Sequence, residues 1–244
     1  MIFLKWSFSR HKRYQLCEAS ARNFGHVNRP YNSRIAHYAA TGIIVHRILE
    51  QLLAGRSGES VREIERSTNT RQIRECMRHI LKDAHILPPP EGQQRRPPKP
   101  VLIKQMVRNG LRLLSQRYPF HTVHGTEMVV ESDDAIGIID LVLNKPLSVE
   151  RQEFVLVDWK TRDARPMSTN EPQLAAYTVL LSDQNNSAHI KSSLALLHPR
   201  QSTLLDVNHH PDFLEEMRRM MRSQIEHWRT LDVNALICTC GNCD

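Results

Sequence analysis

No stretch of the 244 residues approaches the roughly 20 consecutive apolar positions that a bilayer-spanning helix needs, so no membrane segment is expected. The opening MIFLKWSFSRHKRY is apolar for only four residues before it turns basic, and a secretory leader is not expected either. The chain contains no G-x-x-x-x-G-K-[ST] phosphate loop, so any ATP-driven motor would have to be another protein. No internal repeat is present. A cytoplasmic setting follows from these absences, and there the five cysteines are expected as thiols or metal ligands rather than disulfides.

The composition that remains is that of a folded protein, with 40% hydrophobic and 24% charged residues. The length suits one large domain, or one domain with a helical insertion, better than two equal domains. A formal charge of +7 favours a polyanionic partner, because each phosphate neutralised by Lys or Arg releases condensed counterions. Many basic proteins bind no nucleic acid, so charge alone does not decide the matter.

Periodicity divides the chain in two. Residues 8–23 read as a short helix or turn, and IAHYAATGIIVHRILEQLLAG, residues 35–55, as an amphipathic helix stopped by Gly. Helices are predicted over 71–85 and 101–117, joined by the Pro-rich connector LPPPEGQQRRPPKP at 87–100. Residues 56–118 are thus expected to form a helical insertion within a single domain spanning 1–244. From His121 the period shortens, and TVHGTEMVVES, AIGIIDLVL and EFVLVDWKT predict three consecutive antiparallel strands. A helix over 171–182 with Pro172 in its first turn, a strand pair at 192–199 and 203–207, and a long amphipathic helix over 211–231 complete an α/β arrangement.

The chemistry sits in the strands. Side chains alternate faces along a strand, so Asp158 and Lys160 project together while Trp159 turns into the core. If the strands carrying Asp140 and Asp158 pair as a hairpin, the two carboxylates meet and offer hard oxygen ligands to Mg²⁺ or Mn²⁺. Lys160 beside them could orient or help deprotonate a water, or stabilise charge on a phosphate, as metal-assisted phosphodiester hydrolysis requires. A D-x-K at a strand end is also a common surface ion pair, and the spacing alone leaves both readings open.

Taken together, Gly42-x-x-x-His46-x-x-x-Glu50, Gly137-x-x-Asp140, Asp158-x-Lys160 and Gln173-x-x-x-Tyr177 resemble, in order and spacing, the PD-(D/E)xK core of RecB-like nucleases. The resemblance implies a restriction-endonuclease-like central mixed sheet flanked by helices. It implies that Asp140 and Asp158 bind metal with His46, that Lys160 is catalytic, and that Gln173 and Tyr177 lie along a DNA-facing helix. Gly42 would let the first long helix approach the sheet closely. Without the resemblance, His46 is one of thirteen histidines and would be read as structural. Glu50 reads as a solvated helix residue, and Glu127 as an exposed strand acid or a supporting residue of the site.

The resemblance extends to the cysteines. Cys238-x-Cys240-x-x-Cys243 with the isolated Cys17 is similar to the four ligands of a 4Fe–4S cluster that clips the chain ends together. The C-terminal spacing is tighter than that family's, which leaves a structural Zn²⁺ and an unmetallated tail as alternatives. Cys76 reads as an ordinary half-buried helix residue. By size the chain is similar to the CRISPR-associated exonucleases of the fourth Cas family, which trim DNA before spacer integration; related modules occur in repair nucleases and helicase–nucleases. Single-stranded or frayed DNA is the implied substrate, and an integrase or helicase the implied protein partner. A DNA-binding module or structural subunit that does not cut is the competing class, and the retained acids and lysine favour cutting. Arg95, Arg96 and Lys99 in the connector fit a solvated linker better than a docking loop.

Overall fold

The apolar runs after His121 pair into a five-stranded sheet, and the described helices pack on its two faces. The structure is a computed structural model that describes residues 5–15, 34–35, 40–83, 85–86, 99–148, 151–161, 170–185 and 188–230. In chain order the elements are α1 (Phe8–Tyr14), β1 (Arg34–Ile35), α2 (Ala40–Leu53), α3 (Val61–Ser67), α4 (Thr70–Asp83), β2 (His85–Ile86) and α5 (Pro100–Arg117). They continue with β3 (Thr122–Glu131), β4 (Ile136–Pro146), β5 (Gln152–Lys160), α6 (Glu171–Gln184), β6 (His189–Leu196), β7 (Thr203–Val207) and α7 (Pro211–Thr230).

The main sheet runs β3-β4-β5-β6-β7. Its first three strands are antiparallel, as their tight turn signals predict, and β6 pairs antiparallel with β7. Between β5 and β6 the pairing is parallel, which demands a crossover; α6 supplies it. The sheet is therefore mixed. On one face α2, α3, α4 and α5 bury Ile44, Ile48, Ile64, Ile73 and Leu111 against Leu143, Val155, Val157 and Trp159. On the other, α6 and α7 join Trp6 and Phe8 over Val142, Phe154 and Leu156. Among the described residues no helix is long and apolar enough to cross a membrane.

The local departures from expectation have local causes. The first long helix begins at Ala40 rather than Ile35, because Arg34 and Ile35 pair in parallel with His85 and Ile86. The same pairing takes His85 out of the next helix, which ends at Asp83. Helix α3 was not foreseen, although Ser60 accepts from the Glu63 amide while the Glu63 carboxylate accepts from the Ser60 amide. That S-x-x-E signature was legible. Residues 87–98 of the Pro-rich connector lie outside the described residues.

Candidate active site

The site forms where the sheet turns over. Residues two apart in a regular strand share a face, yet Ile139 packs in the α6–α7 core and Leu141 in the α2–α5 core. Asp140 lies between them, at the seam of the two cores. Across from it on β3, Thr126 pairs with Leu141 and Met128 with Ile139, so Glu127 stands opposite Asp140. Glu127 has a φ of 45°, an uncommon left-handed conformation for a residue other than glycine.

On the other side of β4, Leu141 pairs with Val157, which brings Asp158 beside Asp140 at the end of the ladder. The backbone amide of Trp159 donates to Asp140 Oδ2 at 2.8 Å. The Trp159 ring points away into the α2–α5 core, and Lys160 Nζ lies 2.5 Å from Asp158 Oδ2. Asp158 is only 3% exposed. From α2, His46 Nδ1 comes within 3.5 Å of Asp140 Oδ2. From α6, Gln173 Nε2 donates to Asp158 Oδ1 at 3.3 Å and to the Tyr177 hydroxyl at 2.9 Å. The six side chains that the sequence assigns to the nuclease site, Asp140, Asp158, Lys160, His46, Gln173 and Tyr177, thus meet at one seam, carried by β4, β5, α2 and α6.

Two glycines make this approach possible. A β-carbon at Gly137 would stand 2.8 Å from Cδ1 and Cε1 of the Tyr177 ring, and one at Gly42 would stand 2.7 Å from Thr161 Oγ1. The absent side chains let α6 and α2 close on the sheet from opposite faces.

Burial and mutual repulsion set the charges. Burial raises Asp158 to about 6, with Asp140 adding to the rise while Lys160 and His46 oppose it. Asp140 is likewise lifted by burial to about 6, against the pull of the Trp159 amide and Lys160. Glu127 rises to about 7 through burial and the charges of Asp140 and Glu50. His46 is lowered by burial to about 4, so its imidazole is neutral near pH 7. Burial also raises the Tyr177 hydroxyl, which keeps its proton. Three carboxylates therefore face one ammonium.

This donor set suits a hard divalent cation. Asp158 Oδ2 is a buried oxygen whose close neighbour is the Lys160 ammonium. Among the described residues no three His, Cys, Asp or Glu side chains already close around a metal position. The Lys160 ammonium sits against the carboxylate instead. Glu127, weighed from sequence as an exposed acid or a supporting residue, is half-buried and electrostatically joined to the site; only the strand register places it there. Glu50 is half-buried as well, and Cys76 packs partly buried against the α2–α5 core. Cys17, Cys238, Cys240 and Cys243 lie outside the described residues.

A family model described as the PD-(D/E)XK nuclease superfamily matches residues 5–244, nearly the whole chain. The mixed sheet flanked by helices has the restriction-endonuclease-like arrangement of that superfamily. No curated protein matches the sequence.

Proposed function

Because the chain belongs to the PD-(D/E)XK nuclease superfamily, we propose that it is a divalent-metal-dependent deoxyribonuclease with Asp140, Asp158 and Lys160 as its catalytic residues. The observation that carries this reading is the meeting of Asp140, Asp158 and Lys160 at one seam, with the buried Asp158 carboxylate against the Lys160 ammonium. Asp140 and Asp158, with the neutral His46 imidazole, would hold Mg²⁺ or Mn²⁺. The bound ion would supply positive charge to the scissile phosphate and acidify a water.

The protein's own groups do the remaining work. Lys160, released from Asp158, directs its ammonium toward the phosphate oxygens or the attacking water and stabilises the developing negative charge. Gln173 fixes Asp158 through its amide and hands orientation on to Tyr177. The buried Tyr177 hydroxyl, on the same helix face one turn later, keeps its proton and accepts from the Gln173 amide.

The finer reading extends the sequence resemblance. We propose a single-strand-preferring exonuclease acting on DNA ends, in CRISPR pre-spacer trimming or in repair and defence alongside an integrase or helicase. Cys17, Cys238, Cys240 and Cys243 are proposed to hold a 4Fe–4S cluster, with structural Zn²⁺ the alternative. Anaerobically purified protein should be brown with broad visible absorbance that Cys240→Ser removes; a colourless preparation with stoichiometric zinc decides for the alternative.

The decisive experiment incubates the purified protein with Mn²⁺ or Mg²⁺ and end-labelled single-stranded DNA. Cleavage is expected, and Asp158→Ala or Lys160→Ala should abolish it. Undiminished cleavage by both variants overturns the site assignment, and labelling either end separates exonucleolytic from internal cutting.

A further inference from the structure

The positive charge of this protein is concentrated in one region. Residues 56–118 hold fourteen of the 33 Lys and Arg but only six of the 26 Asp and Glu, a net +8 in a chain whose total is +7. The rest of the chain carries −1. The candidate active site, with its three carboxylates, is accordingly not where a polyanion would first be attracted.

Helices α4 and α5 display this charge in an ordered way. In α4, Ile73, Met77 and Ile80 are buried while Arg74, Arg78 and Lys82 are exposed at successive turns of one face. In α5, Lys104, Arg108 and Arg112 repeat the same four-residue spacing beside the buried Ile103, Val107 and Leu111, with Arg108 and Arg112 exposed and Lys104 half-buried. Among the described residues Arg74, Arg78, Lys82, Lys104 and Arg112 form no ion pair. Like charges four apart destabilise an isolated helix, so neither row is explained by helix stability. The Arg108 guanidinium donates to the Thr70 hydroxyl and ties the middle of α5 to the start of α4. Each row is about 12 Å long, comparable to three or four phosphates at about 3.4 Å of rise per nucleotide. Both helices pack on α2, which carries His46, one helical layer from the candidate site.

We propose that the basic faces of α4 and α5 form a phosphate-binding track that holds the DNA backbone away from the reacting bond. The choice of DNA as occupant rests on the nuclease reading above. The track contributes affinity without sequence preference, because point charges on phosphates carry no base information.

The test is binding of a fluorescein-labelled 20-nucleotide single strand in EDTA, followed by anisotropy over a range of salt concentrations. Arg74→Gln/Arg78→Gln removes two exposed charges and keeps good helix formers. It should weaken binding about tenfold and flatten the slope of log K against log salt by about 1.4, from roughly 0.7 per phosphate contact on a single strand. The control Arg219→Gln/Arg222→Gln makes the same change of net charge on α7, beside Glu215 and Glu216, and should leave the slope nearly unchanged. In cleavage assays the α4 variant should raise KM and leave kcat intact.

An unchanged slope in the α4 variant overturns the track. So does an equal loss in both variants, which marks a general charge effect. Intact DNA binding with lost binding of poly-glutamate assigns the face to an acidic protein partner and also overturns it. The two proposals fail separately. Metal-dependent cleavage that needs Asp158 but shows no slope change removes the track alone, whereas α4-dependent binding without any cleavage removes the nuclease reading alone.

Discussion

Asp158 is a carboxylate held where an uncharged side chain would be more comfortable. A rise from 3.8 to about 6 corresponds to a cost of about 3 kcal/mol for keeping it ionised in the fold. Asp158→Asn should therefore raise the melting temperature of the metal-free protein, by about 3 °C or more, while abolishing cleavage. Differential scanning calorimetry in EDTA checks this, and a lower melting temperature would show that Lys160 needs its partner more than Asp158 resents its burial. Gly137 offers a second probe. Its would-be β-carbon meets ring carbons of Tyr177, a buried side chain anchored through Gln173, so the ring must move. Gly137→Ala is expected to reduce cleavage about tenfold or more in a protein that still unfolds cooperatively, and wild-type rates from that variant would deny Tyr177 a positioning role.

Short elements hold the helical layer together. Helix α3 has seven residues, too few to persist alone, and its first turn depends on the reciprocal Ser60–Glu63 hydrogen bonds. Ser60→Ala should cost about 1 kcal/mol, seen as a melting temperature lower by about 2–4 °C, with kcat unchanged. An effect on kcat would mean that α3 couples to α2 and His46 more tightly than packing suggests. The strands depend on register instead. A one-residue slip of β3 against β4 would carry Glu127 away from Asp140, and the left-handed φ at Glu127 marks where the ribbon turns over. Read along the chain, Glu127 is an acid in an apolar strand that only the resemblance marks as a supporting residue, because its partner is set by pairing across the sheet.

At the scale of the whole molecule the clustered acids make stability depend on pH and on metal. Asp140, Asp158 and Glu127 have folded values of about 6, 6 and 7, above their ordinary 3.8, 3.8 and 4.5. Groups raised by folding stabilise the protein below their unfolded values, and that stabilisation is lost as pH rises through the folded ones. The metal-free protein should therefore lose stability between about pH 4 and 7 from this source. Mn²⁺ or Mg²⁺ should raise the melting temperature more at pH 8 than at pH 5, since only ionised carboxylates bind it. An equal shift at both values would place the metal elsewhere. By itself the sequence determined the order of the longer helices and of the strands after His121, the identities of Asp140, Asp158, Lys160, Gln173, Tyr177 and His46 as candidates, and the close approach that Gly42 allows. Periodicity and motif spacing are local properties, and they survive reading one residue at a time. Tertiary structure alone decided the turning-over of β4 at Asp140, the placement of Glu127, the parallel step between β5 and β6, and the exposure of the basic rows on α4 and α5. Those features depend on which backbone pairs with which and on what each face buries, and neither is written in any single segment.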